Sequence, residues 1–344
     1  MKEQKHTFRN IVIFVLLICV TFYFIFKDTN VYELLDVLKS TDKRFITAAL
    51  LLMCGYIGFE SANTKRTMRK LGTKITPLQS VKYSMTLFFF SGITPAASGG
   101  QPMQIYSMHK DGLEIAKSTI GLLVSLFSYQ IVTISVALVS VLFSLNNMDT
   151  GLRIFFVIGI GLNSIALTLL ILGIFSKKMS MNLIGFIIKV LKKFKYKKVE
   201  EVEKSLKQGL EKYQSCSTYI SNNKKIMFKT IMFTFFQYMC YYSITYCIYR
   251  SLGLDNMNYF KIMSLQAVVY ATTSGIPSPG AVGVSEAAYI GIFKTVIPEN
   301  LINPALLLSR GINFYLPMLI CGMVVIINTI LSSRKKNKID KKSK

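Results

Sequence analysis

Charged side chains inside apolar segments are the residues of this sequence whose chemistry can be argued first. Glu60, Glu286 and Arg310 lie within or beside long apolar runs, and the charged group from His109 to Glu114 follows another. A charge at the centre of a bilayer is costly, so such residues usually mark a substrate or ion pathway. They predict the binding of charged ligands at membrane depth.

Arg310 lies roughly two helical turns into the last apolar run, within LLLSRGINFYLP. Its guanidinium is planar, permanently charged and able to bind two phosphate oxygens at once. Two interpretations remain open at this point. Arg310 either binds the phosphate of a lipid or forms a structural ion pair with Glu286.

The two glutamates differ in their sequence context. Glu286 follows PSPGAVGVSEAA and is predicted to begin a short helix, where an acid either compensates the helix dipole or faces a cationic headgroup. Glu60 comes just before Lys65 and Arg66. For Glu60 we therefore favour an interfacial position over a functional one.

Motifs for covalent chemistry do not appear in the sequence. There is no GxSxG nucleophile motif, and the Ser98–Gly100 stretch, which could hold a phosphate on its backbone, is not followed by GK[ST]. His6 and His109 have no metal-ligand neighbours at helical spacing. We expect no catalytic residues, no metal and no cofactor.

Asp111 and Glu114 are the acids that a membrane-embedded transferase could use at the cytosolic edge. The alternative is an ordinary interfacial helix start, neutralised by Lys110 and Lys117. We favour the second interpretation, because no paired catalytic partner accompanies the two acids.

Composition indicates a membrane protein. Hydrophobic residues make up 51% of the 344 residues, mean hydropathy is +0.43, and the formal net charge is +24. Long apolar runs alternate with short Lys-rich segments, whereas a nucleic-acid-binding protein carries its basic residues on a polar folded surface. We expect no nucleic acid partner and interpret the basic excess as topogenic.

Helices that cross a bilayer need about 20 apolar residues. Six runs approach that length and are predicted to span, at 11–26, 45–62, 118–145, 153–175, 226–249 and 304–331. Two further apolar stretches, 85–102 and 265–297, are interrupted by glycine and proline. Irregular backbone at membrane depth usually lines a cavity, because its polar groups need partners.

The distribution of lysine and arginine predicts the topology. The stretches 63–82 and 177–229 and the tail from Arg334 are strongly basic and are expected inside, with both termini in the cytoplasm. Parity then makes both interrupted stretches re-entrant, with opposite orientations. The units 45–145 and 226–331 would form an inverted repeat, which is typical of transporters.

We therefore predict an all-α polytopic membrane protein with about six spans and two re-entrant broken hairpins. Residues 1–344 would form a single integral membrane domain. Its polar cytoplasmic connection, at about 177–229, should contain an amphipathic helix over 181–191 and then a charged helix.

Two motifs carry a family resemblance, TPAASGGQPMQIYSMHKDG at 94–112 and GIPSPGAVGVSEAA at 275–288. Together they resemble the lysylphosphatidylglycerol synthase transmembrane family, the flippase-type domain found at the N-terminus of the multiple peptide resistance factor. The resemblance covers essentially the whole chain. It implies substrate-binding roles, in addition to that of Arg310, for Gly99, Gly100, Pro102, Tyr106, Pro277, Pro279, Gly280, Gly283 and Glu286.

The resemblance implies translocation of aminoacylated phosphatidylglycerol to the outer leaflet of a bacterial-type cell membrane, which gives resistance to cationic peptides. The partner is then a membrane phospholipid. In bifunctional members lysine transfer belongs to a soluble C-terminal domain, whereas this chain ends at Lys344 after its last predicted span.

We therefore expect no aminoacylation by this chain itself and a separate aminoacyl-lipid synthase as a partner. A membrane-embedded phosphatidylglycerol lysyltransferase and a scaffold subunit of such a synthase are the alternatives. The sequence makes no prediction of oligomeric state.

Overall fold

The computed structural model describes residues 36, 39–94, 97–144, 148, 150–175, 177–193, 199–274, 276, 281 and 283–342, which contain helices and no strand. We number the helices along the chain as α1 (Lys43–Lys70), α2 (Pro77–Ile93), α3 (Gly100–Lys110), α4 (Ile115–Ser144), α5 (Thr150–Phe175), α6 (Lys177–Lys193), α7 (Val199–Asn222), α8 (Lys224–Ser251), α9 (Tyr259–Thr273), α10 (Val284–Phe293), α11 (Glu299–Arg310) and α12 (Leu316–Lys342). A π-helical segment, Gly311–Tyr315, joins α11 to α12. The predicted all-α class is confirmed.

Four helical stretches in the described residues are long and apolar enough to cross a membrane. They are Lys43–Lys70, Ile115–Phe143, Thr150–Leu172 and Glu299–Thr329, which match four of the predicted spans. The predicted span at 226–249 is the 28-residue helix α8, which is not among these four. Most of its Thr, Gln and Tyr residues are buried, whereas Phe228 and Phe236 are exposed, so one side of α8 faces the interior of the protein. The predicted span at 11–26 lies outside the described residues.

Helix α5 has an exposed apolar surface of the kind that lipid covers. Large apolar side chains on several of its sides are exposed, among them Ile154, Phe155, Val157, Ile158 and Ile165. A soluble monomer rarely exposes a contiguous apolar surface of this kind. Together with the long apolar helices, this surface identifies a polytopic membrane protein.

The order of elements occurs twice along the chain. Helices α1 to α4 and α8 to α12 each consist of a long helix, a shorter helix, a break, a short helix and a further long helical stretch. The turn after the first long helix contains a glycine with positive φ in both units, Gly72 at 77° and Gly253 at 78°. The next helix then begins at a capping side chain, Thr76 in α2 and Asn258 in α9, each accepting a backbone N–H.

The two breaks also resemble each other. The first separates Ile93 from Gly100, and the second separates Thr273 from Val284. Each contains an alanine in the left-handed region, Ala97 with φ 54° and Ala281 with φ 53°. This conformation costs a non-glycine residue about 1–2 kcal/mol, and such strain often occurs at functional sites.

Helices α1 and α8, the first helices of the two units, pack side by side along their length. The Asp42 N–H before α1 donates to the carbonyl of Ser251 at the end of α8, 3.0 Å away. Near the other end of α1, Asn63 Nδ2 donates to Thr234 Oγ1 near the start of α8, at 3.1 Å. The two helices are therefore antiparallel, as an inverted repeat requires, and the opposite orientation of the two units in the membrane stays a prediction.

The polar connection between the units is helical. The predicted amphipathic helix at 181–191 lies within α6, and the charged helix that follows it is α7. Ile184 and Ile188 of α6 pack against Leu210 of α7, whereas Phe186 is 65% exposed.

Candidate functional site

A cavity of about 620 Å³ lies between the two breaks. The first break contributes Ala97, and the second contributes Ser274 and Ala281. The cavity falls within the usual volume range of small-molecule sites. The two interrupted segments therefore line a common cavity, as their glycine and proline content predicts.

Glu60 and Arg310 are the charged side chains among the lining residues that the structure describes. Glu60 is on α1 in the first unit, and Arg310 is the last residue of α11 in the second. The π-helical segment begins immediately after Arg310. Such segments are rare and frequently occur at functional sites, so the irregular backbone and the charge coincide here.

Arg310 is held by neighbours on two sides. Its Nε lies 2.8 Å from Oε1 of Glu286, and its guanidinium carbon lies 4.4 Å from the ring centre of Phe314. The Nε and Oε1 atoms are close without the alignment of a regular hydrogen bond, so their attraction is mainly that of an ion pair. The structural pair that we considered from the sequence is present. The phosphate-binding role of Arg310 stays a prediction.

Glu286 lies in the first turn of α10, as predicted. Its carboxylate also accepts a hydrogen bond from Ser285 Oγ at 3.1 Å. The Glu286 side chain is not among those that line the cavity, although Ser285 and Arg310 are. Glu286 therefore approaches the arginine from outside the cavity lining.

The interfacial position that we favoured for Glu60 is wrong, because this residue lies in the cavity wall. Helix α1 continues to Lys70, so Glu60 is about 15 Å from its basic end. Glu60 Oε1 is buried and accepts no hydrogen bond, while the side chain of Gln237 on α8 lies within hydrogen-bonding reach of the carboxylate. The apolar run ends at residue 62, whereas the helix continues to Lys70.

Tyrosines form one side of the cavity, and sequence reasoning missed them. The lining members of this tyrosine wall are Tyr56, Tyr129, Tyr238, Tyr241 and Tyr270. Their rings are in contact, with centroids 5.4 Å apart for Tyr56 and Tyr241 and for Tyr238 and Tyr270. The sequence does contain a sign of this wall, because Thr234, Gln237, Tyr238 and Tyr241 are spaced so that they lie on one face of α8. A helix in contact only with lipid would not have such a polar face.

The first motif packs α3 against α2. The Gly99 N–H donates to Thr94 Oγ1 at 2.9 Å. A Cβ on Gly100 would lie 2.0 Å from Ser91 Oγ and 2.8 Å from the carbonyl of Leu87. The two glycines therefore permit the close approach of α3 to α2, and neither lines the cavity.

The other motif residues lie outside the cavity lining or outside the described residues. Pro102 and Tyr106 are exposed on α3, and Gly283 precedes α10 with a φ of 81°. Pro277, Pro279 and Gly280 lie outside the described residues. The substrate-binding roles implied for the motif residues stay predictions.

The acids at the other end of α3 have partners of their own. Asp111 accepts a hydrogen bond from the Tyr83 hydroxyl at 2.7 Å and pairs with Lys82. Glu114 pairs with Lys117 at 2.7 Å. Neither acid is among the residues that line the cavity. In the described part of the chain no three metal-binding side chains are grouped.

Comparison with known proteins gives two matches. A family model described as the lysylphosphatidylglycerol synthase TM region matches residues 11–321. A protein of Archaeoglobus fulgidus named UPF0104 membrane protein is 22% identical over 331 residues, which cover 92% of this chain and 96% of the archaeal protein. The family match includes the first unit, the second unit as far as residue 321, and every residue that lines the cavity.

Proposed function

The chain belongs to the lysylphosphatidylglycerol synthase transmembrane family, and from this we propose that it translocates a lipid between the leaflets of the membrane. The proposed substrate is aminoacylated phosphatidylglycerol or a related anionic or lipid-linked molecule. Moving such a lipid outward lowers the negative charge of the outer surface, which weakens the binding of cationic peptides.

The observation that carries this proposal is the cavity between the two breaks. Transporters with inverted repeats place their substrate sites where discontinuous helices meet near the bilayer midplane. The cavity is lined by both breaks and contains charged, amide and hydroxyl side chains. Such a site suits a lipid headgroup while the acyl chains remain among the lipids.

Within this cavity we assign the lipid phosphate to Arg310. A guanidinium has five N–H donors, and Glu286 approaches Nε. The ring of Phe314 lies against the same guanidinium and limits its movement. The ion pair and the ring together keep the arginine oriented toward the cavity in the absence of a ligand.

The test is leaflet transfer of lysyl-phosphatidylglycerol in vesicles that contain this protein alone, read with an amine reagent that cannot cross the bilayer. We expect transfer above protein-free vesicles and its loss in Arg310→Ala. Arg69→Ala, at an exposed arginine outside the cavity, is the matched control and should retain transfer. Normal transfer by Arg310→Ala would refute the role of this arginine, and no transfer of any lipid by the wild type would refute the translocase.

The open cavity favours a translocase over a scaffold subunit, whose interior side chains could fill the same space. No observation favours a transferase, since Asp111 and Glu114 have partners of their own. A separate synthase remains the proposed partner. Lysyl transfer from lysyl-tRNA by the purified chain would contradict this assignment.

We also propose that both termini and the connection formed by α6 and α7 lie in the cytoplasm, because these segments are the most basic. Accessibility of cysteines introduced at Lys178 and Lys189, both exposed, tests this orientation in intact cells. Labelling of these cysteines by an impermeant reagent added outside the cells would show the opposite orientation.

A further inference from the structure

The acidic side of the cavity has a feature that the translocase proposal does not use. Glu60 Oε1 is buried and has no hydrogen-bond donor, although the neighbouring Gln237 reaches the same carboxylate. A buried polar oxygen without a hydrogen-bond partner is unfavourable by several kcal/mol in general. A bound molecule with an N–H group would supply the hydrogen-bond donor that Glu60 lacks.

Among the lining residues that the structure describes, none forms an ion pair with Glu60. Arg310 is the one positive side chain among the described lining residues, and it is paired with Glu286. Glu286, in turn, is engaged by Arg310 and Ser285 and does not line the cavity. Of the two glutamates, Glu60 is therefore the one placed to contact a cationic group in the cavity.

The surroundings of Glu60 also suit a cation. Tyr56 precedes Glu60 by one helical turn, which places both side chains on the same face of α1. Tyr241 of α8 lies against Tyr56, with ring centroids 5.4 Å apart. Aromatic faces attract ammonium groups, more strongly when water is excluded. A carboxylate beside tyrosine rings is a suitable site for an ammonium group.

Building on the proposed function, we propose that Glu60 determines specificity by receiving the ammonium group of the lipid headgroup while the phosphate lies toward Arg310. The substrate class is then a phospholipid whose headgroup carries both a phosphate and a primary ammonium group. The tyrosine wall, which lines the same cavity, would then contact the rest of the headgroup. Phosphatidylglycerol itself, which has no ammonium group, is a poorer ligand.

The experiment compares lysyl-phosphatidylglycerol with phosphatidylglycerol, both carrying the same fluorescent acyl chain, so that one quenching assay reads the leaflet transfer of either lipid. The wild type should prefer the lysyl lipid. In Glu60→Gln, transfer of the lysyl lipid should fall about tenfold or more, as for a lost charged hydrogen bond, with phosphatidylglycerol changed less than twofold. Glu114→Gln, at an acid outside the cavity, should keep the wild-type preference.

A competition assay measures the binding of the two lipids to the detergent-solubilised protein. It tests the ammonium site independently of the proposal that the protein is a translocase. If the wild type transfers neither lipid, the translocase is refuted, while a binding preference that Glu60→Gln abolishes still supports the ammonium site. The proposal is overturned if Glu60→Gln keeps the wild-type preference, or if transfer and binding of the two lipids fall equally. Glu60→Asp, which keeps the charge, should retain part of the preference.

Discussion

The guanidinium of Arg310 and the carboxylate of Glu286 stabilise each other in a largely buried position. Their side chains are 12% and 22% exposed, and the Phe314 ring covers the arginine. Removing one member of a buried ion pair leaves the other charge without compensation, whereas removing both does not. The pair is thus both a structural contact and the support of the proposed phosphate site.

We predict that Glu286→Gln lowers the free energy of unfolding by about 3 kcal/mol, because it leaves the Arg310 charge poorly compensated. The double variant Glu286→Gln with Arg310→Gln should recover much of that loss. Equilibrium unfolding in mixed micelles measures both. The matched control is Glu114→Gln, whose more exposed pair with Lys117 is expected to contribute less than about 1 kcal/mol. Equal effects of the two single variants would contradict the prediction.

At the scale of elements, Gly159 permits the close approach of α5 to α9. A Cβ on Gly159 would lie 2.5 Å from the carbonyl oxygen of Ala271 and 2.8 Å from the Cα of Thr272. Both contacts are to backbone, which cannot rotate away. Nearby, Asn163 of α5 donates to Ser274 at the second break, with its Nδ2 3.1 Å from Oγ. This packing positions the second break against the cavity.

We predict that Gly159→Ala destabilises the protein by about 1–3 kcal/mol, because α5 and α9 must separate to admit the methyl group. Gly161→Ala, two residues along the same helix, is the matched control. A Cβ there meets nothing within 4 Å, so this change should be neutral or slightly stabilising, since alanine favours helix. Thermal unfolding of both variants in the same detergent gives the comparison, and destabilisation of similar size in both would contradict the packing.

At the scale of the whole molecule, the antiparallel contact of α1 with α8 joins the two units. A Cβ built on Gly55 of α1 lies 3.3 Å from the Sγ of Cys240 on α8. This separation is close enough for a disulfide to form after small adjustments. The contact gives a direct chemical test of how the two units are arranged.

We predict that Gly55→Cys forms a disulfide with Cys240 on mild oxidation, in a background without the other cysteines. Proteolysis at a site introduced between α6 and α7 should then leave two fragments that separate only under reducing conditions. Gly58→Cys is the control, because a Cβ there has no neighbour within 4 Å. Separation of the Gly55→Cys fragments without reductant would contradict the antiparallel arrangement.

Sequence reasoning could predict the repeat because charge bias and broken helices are local properties of the chain. It predicted the positions of four spans and both breaks for the same reason, whereas the pairing of Arg310 with Glu286 was one of two interpretations that the sequence left open. It misplaced Glu60, because the helix containing it continues through the polar residues after the apolar run. It missed the tyrosine wall, which depends on residues from α1, α4, α8 and α9 that meet only in the folded protein.

The contact between α1 and α8 is also symmetric with respect to the two units. When the matching turns at Leu71 and Leu252 are superimposed, Tyr56 corresponds to Gln237 and Glu60 corresponds to Tyr241. Tyr56 contacts Tyr241 and Glu60 approaches Gln237, so each contact is the twofold copy of the other. The same relation holds for Gly55 with Cys240 and Phe59 with Phe236. This pattern is isologous, because each contact between the two units is matched by its reciprocal contact, as in a twofold interface between two copies of one unit.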